Sequence, residues 1–164
     1  MHKIYFIRHA KAQKENKDTS KDFSRELTSR GKENAKFMAQ RLLKHKIIPN
    51  AIFSSSAKRC EQTAKIISQN INFKHKIILK DELYDISTDK LIEFVQNLDE
   101  DIKEVFIVLH NPSITEISEL LSDSFIGNIP TSGVFCVKIK TTFNQIKEGS
   151  AKALFFDYPK KHKK

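Results

Sequence analysis

The chain has 164 residues, 39% hydrophobic and 30% charged, which suits one domain with its own core and is too short for two. No apolar run nears the roughly 20 residues that cross a bilayer, and the opening MHKIYFIRHAKA is broken at Arg8, unlike a secretory leader. The net charge of +9 is carried partly by four lysines in the terminal KKHKK; the other lysines interleave with glutamate and form no aromatic-rich basic stripe, so nucleic acid is not the expected partner.

Residues 4–7 read as a buried strand. The polar stretch 11–26 predicts a loop, and 29–46 predicts a helix, with Ala35, Met38, Ala39, Leu42 and Leu43 at the spacing of one face. A short strand over 51–54, a helix over 58–70 and a strand over 76–79 follow. Residues 89–98 predict a helix with Leu91, Phe94, Val95 and Leu98 on one side, and 104–109 is the clearest strand. Asn111 then offers an N-cap and Pro112 a first-turn residue for another helix. Two late strands, 134–139 and 153–157, have a polar turn and no helix between them. The fold class expected is α/β: a three-layer α/β/α domain, its central sheet mostly parallel, with an antiparallel hairpin at the C-terminal edge. One domain is expected over 1–158, with 159–164 a disordered basic tail. Cys60 and Cys136 lack metal-ligand spacing and suit a reducing, cytoplasmic setting.

Arg8 and His9 stand at the end of the first strand, His110 at the end of the 104–109 strand, and Arg59 at the start of the helix after the second. Ligands of open α/β sheets lie beyond those carboxyl ends, so the four residues are expected to converge. Two guanidiniums and two imidazoles without metal-ligand spacing point to a tetrahedral anion, whose oxygens match the planar fork of arginine. Helix N-termini near Ser56 and Asn111 are expected to add backbone amides.

The run Ile7-Arg8-His9-Ala10-Lys11-Ala12 resembles the RHG/RHA signature of the histidine phosphatase superfamily, and is most similar to its SixA-type phosphohistidine phosphatase branch. Further matches, in order, are the D-x-x-R-x-L-T-x-x-G segment from Asp22, the S-x-x-x-R-x-x-Q-T-A segment around Arg59, the His-Asn-Pro at 110–112 and Pro130-Thr131-Ser132-Gly133. The resemblance implies that His9 is a nucleophile that becomes phosphorylated, while Arg8, Arg59 and His110 hold the phosphoryl oxygens. It implies no cofactor and no metal. Asp22, Arg25 and Ser132 are candidate substrate-binding residues, with a structural ion pair the alternative for Asp22 and Arg25. Leu109 replaces the glycine usual before the second histidine, which is expected to shift the pocket floor. For a general acid the candidates are Glu82 and Asp22, or none, and a phosphohistidine leaving group tolerates none. The expected partner is a phosphorylated protein, such as a histidine-phosphorylated signalling domain, or a small phosphorylated molecule. The alternatives are a small-molecule phosphomonoesterase or mutase, for whose helical insertion the interval from Arg59 to His110 leaves little room, and a non-catalytic phosphate- or nucleic-acid-binding module.

Overall fold

The computed structural model describes residues 1–15 and 17–163. Strand β1 (His2–Arg8) carries an unbroken apolar run because both its faces are covered: Ile4 and Phe6 enter one core, Tyr5 and Ile7 the other. Helix α1 (Ser29–Lys44) starts where the Thr28 hydroxyl accepts a hydrogen bond from the Gly31 amide, and it buries Ala35, Met38, Ala39 and Leu42. Leu43, expected on that face, is 38% exposed at its edge. The chain continues through β2 (Ala51–Ser55), α2 (Lys58–Asn70), β3 (Ile78–Lys80), α3 (Thr88–Gln96), β4 (Glu104–Leu109), α4 (Ser113–Ser122), β5 (Val134–Ile139) and β6 (Ala151–Asp157). The six strands lie in the order β3-β2-β4-β1-β5-β6. The first four are mutually parallel, β5 is antiparallel to β1, and β6 returns antiparallel on β5 at the edge.

One core packs α1 and α2 against Tyr5, Ile7, Phe106 and Val108; the other packs α3 and α4 against Ile4, Phe6, Val105 and Ile107. The expected three-layer α/β/α architecture is thus the observed one. Because parallel strands point their carboxyl ends the same way, β1, β2 and β4 deliver Arg8, Ser55 and Leu109 to one rim of the sheet.

Three local expectations are corrected. Asn111 does not cap α4. The cap position is Pro112, with no side-chain bond, and the Asn111–Pro112 peptide is cis. The Asn111 amide instead accepts from Thr115 Oγ1 (2.6 Å) and donates to Asn128 Oδ1 (2.8 Å) and the Ile129 carbonyl (3.1 Å), tying α4 to the loop before β5. Leu109 does not touch the pocket floor: it is fully buried in the α3–α4 core. The basic end is ordered through His162. Residues Pro159–His162 form a 3₁₀ turn in which Lys161 Nζ donates to the Phe156 carbonyl, and the His162 ring meets Asp157 and Phe37. Lys164, the last residue of that tail, lies outside the described residues.

Candidate active site

His9 follows β1, and its loop is clamped from two sides. The Ala10 amide donates to Thr63 Oγ1 on α2 (2.9 Å), and the Thr28 amide donates to the Lys11 carbonyl (2.9 Å). His9 is 8% exposed, and its Nδ1 lies 2.8 Å from the Ala10 carbonyl. A carbonyl only accepts, so Nδ1 carries the proton and Nε2 keeps its lone pair. Burial, reinforced by the charges of Arg59, Arg8 and Arg25, pushes this imidazole down to about 4. His9 is therefore neutral near pH 7.

His110 follows β4, with its ring centroid 5.4 Å from that of His9. Arg59 Nη2 donates to its Nδ1 (3.3 Å), which leaves Nε2–H to donate to Ser55 Oγ (2.9 Å). Cys60 Sγ lies 3.4 Å from the same Nε2, and burial pushes that thiol up to about 12, so it packs as an inert neutral group. Burial first, then Arg59 and His9, push His110 down to about 3, against the opposing pull of Asp22.

Arg59, 5% exposed at the start of α2, is held by Asp22 through its carbonyl (2.8 Å) and its carboxylate (3.2 Å). Burial alone would raise the Asp22 carboxyl, but the Tyr84 hydroxyl, Arg59 and Arg25 outweigh it and hold the group below the usual carboxylate range. Arg25 Nε donates to Asp22 Oδ1 (3.0 Å). Arg8 Nη1 donates to the Ile129 carbonyl (3.0 Å), while its Nε is buried without a partner.

Arg8, His9, Arg59 and His110 line one cavity of about 270 Å³, together with Lys11, Arg25 and Thr131. An adjoining cavity of about 360 Å³ shares Arg59, His110, Glu15 and Asn111 with it, and adds Asp22, Tyr84 and Asp85. Cations outnumber carboxylates around the first, and carboxylates outnumber cations around the second. Among the described residues no group of three or more His, Cys, Asp or Glu side chains is placed to hold a metal ion.

The family model of the histidine phosphatase superfamily (branch 1) matches residues 4–106. The chain belongs to this superfamily. No curated protein sequence matches it. Among solved structures, the protein histidine phosphatase SixA complexed with tungstate superposes with a TM-score of 0.83 at 20% identity, covering 98% of this chain and 99% of that one. The SixA structure from Agrobacterium tumefaciens gives 0.81 at 24%, covering 96% and 98%. A mycobacterial glucosyl-3-phosphoglycerate phosphatase complexed with VO3 gives 0.69 at 14%, covering 97% and 100%. The whole chain thus carries the histidine phosphatase fold.

Other expected site features fall differently within that fold. Ser132 stands at φ 62° with its Oγ buried and unpartnered; it meets His9 only by donating its amide to the His9 carbonyl (3.1 Å), and the cavity wall here is Thr131. The start of α2 offers few free amides, since Lys58 N donates to the Phe23 carbonyl and Ala57 N to Ser55 Oγ. Glu82 is exposed and lines neither cavity. Tyr84 and Asp85, two and three residues further on, do line the second one. The Tyr84 ring stands edge-on to His110 at 5.6 Å, and its bond to Asp22, then burial, raises the phenol so that it stays protonated. Both lie in a loop whose residues follow no hydrophobic period, so no sequence pattern singles them out.

Proposed function

We propose that the protein is a metal-independent phosphatase that acts through phospho-His9, with a phosphohistidine-bearing protein as substrate. The observation that carries this reading is the Nδ1–H bond from His9 to the Ala10 carbonyl, which aims an unprotonated Nε2 away from that anchor (2.8 Å). In the first step Nε2 attacks phosphorus, a P–N bond to His9 forms, and the bond to the leaving group breaks. Water then displaces His9, releasing inorganic phosphate, with the proton of water passing to the phosphate. Arg8 and Arg59 steady the equatorial oxygens, whose charge is the main demand of phosphoryl transfer, and His110 joins them when its Nε2–H turns from Ser55 Oγ to the bound phosphoryl group. Arg8, Lys11, Arg25 and Arg59 around this cavity supply the positive charge that a divalent ion provides elsewhere. Anion affinity of such a fold accords with the tungstate and VO3 in the neighbours' structures.

The leaving group follows from the acids at hand. Asp22 is held ionised by Tyr84, Arg59 and Arg25, so it makes a poor proton donor, and Glu82 lines neither cavity. A phosphorylated imidazole protonated on its free nitrogen departs as neutral imidazole and needs no acid from the protein, unlike an alkoxide. Turnover with EDTA present and trapping of an acid-labile, base-stable phosphoenzyme test the reading. His9→Ala is expected to abolish both the label and turnover, whereas His110→Ala retains labelling and slows transfer on the order of 10²–10³-fold. Label on His110 instead would move the nucleophile to the other strand.

A further inference from the structure

A third cavity, of about 740 Å³, is larger than the two at the histidines and adjoins the 360 Å³ one, with Tyr84 and Asp85 lining both. From that shared wall it follows the flank of α3 to Ile102, just before β4. The nine residues of α3 span about 13 Å at 1.5 Å each, the length of about four residues of extended chain. Its floor is apolar: Phe94 stands edge-on to Phe53 (5.5 Å, 86°), and Ile86 and Ile102 are only partly buried beside them. Its rim carries Glu82, Asp85, Glu93 and Asp99 against Lys80 and Lys90. On a chain of net charge +9, this groove is a local excess of negative charge.

A phosphoryl group alone is satisfied by the cationic cavity at His9 and has no use for an apolar floor beyond Tyr84. A polyanionic metabolite would meet more carboxylates than lysines along the groove. We infer that the groove is a docking channel for the polypeptide bearing the phosphoryl group, and that it takes about four residues beside the phosphorylated one, apolar and positively charged. The inference rests on the proposed function, since the groove serves the phosphoryl site only if that site is catalytic.

The test compares free N-phosphohistidine with a histidine-phosphorylated peptide that carries Leu, Ile and Lys on both flanks. The wild-type protein is expected to show a kcat/KM about ten-fold higher or more for the peptide. Phe94→Ala should remove most of that advantage through KM and leave turnover of free phosphohistidine unchanged. Because Phe94 packs on Phe53, Glu93→Lys is the second variant. Its side chain is 61% exposed, and the change should lower the peptide value about three-fold, again without effect on the free amino acid. Equal wild-type values for the two substrates, or peptide rates untouched by both variants, overturn the docking channel and leave the phospho-His9 reading standing. Absence of turnover on either substrate overturns that reading and the channel with it.

Discussion

Gly31 sets how closely α1 approaches the loop that carries His9. A Cβ there would lie 2.1 Å from the Lys11 carbonyl oxygen and 3.0 Å from its carbon, both backbone atoms that cannot swing aside. Gly31→Ala should therefore push the first turn of α1 away from residues 9–12. The expected cost is about 1–3 kcal/mol in thermal unfolding, the usual penalty of overpacking. Turnover should fall more steeply, on the order of 10²-fold, because a nucleophile displaced by about 1 Å loses its alignment. Wild-type activity in a folded Gly31→Ala protein would show that the loop has slack. The sequence marks this glycine only as part of a motif; the contact that requires it is 20 residues away and invisible in any local pattern. Arg8, His9, Arg59 and His110 were legible for the opposite reason, since each sits at the end of a strand or the start of a helix, and sheet topology dictates where such ends meet. Tyr84 and Asp85 were not, because a loop follows no period. What places them is a φ of 53° at Asp85 and the Tyr84–Asp22 bond, neither of which has a sequence signature.

At the scale of elements, legibility tracks how many faces an element buries. The bounds of α2 and β4 are as expected, because both combine long apolar patterns with sharp polar ends. The edge strand β3 lies further along the chain than residues 76–79, and Ile78 and Leu79 are about 40% exposed, so little apolar pattern marks its register. The C-terminal turn has no compositional signature, because a lysine-rich tail reads as solvated while its anchoring is by single contacts: His162 to Asp157, Lys161 to the Phe156 carbonyl, and the His162 ring on Phe37. Removing residues 160–164 should lower stability by about 1 kcal/mol, which for a domain of this size is a fall of roughly 2–4 °C in Tm. Turnover of free phosphohistidine should not change, as none of the described residues among them lines the cavities at His9 or His110. An unaltered Tm would mean that the turn contributes nothing to the fold; lost turnover would tie the tail to catalysis.

For the whole molecule, the consequence of this site is a stability that depends on pH. His9 titrates near 4 and His110 near 3 in the folded protein, against about 6.5 for an exposed imidazole. Both pKa values are depressed, so the unfolded chain binds more protons below about pH 6.5. Stability is therefore full above that value and declines as pH falls toward 4 and then 3, at up to about 1.4 kcal/mol per pH unit for each histidine. Urea midpoints between pH 7 and 4.5 should show this slope, and His9→Gln or His110→Gln should each remove about half of it. The same linkage predicts how an anion behaves. Sulfate, dianionic throughout this range, favours the protonated imidazoles it faces and so binds more tightly as pH falls. It should raise the midpoint more at pH 5 than at pH 7 in the wild-type protein, and less in the His110→Gln variant. Equal sulfate stabilisation at both pH values would mean that the anion does not sit between the two rings, and the reading of the cavity they line together as the phosphoryl site would fall.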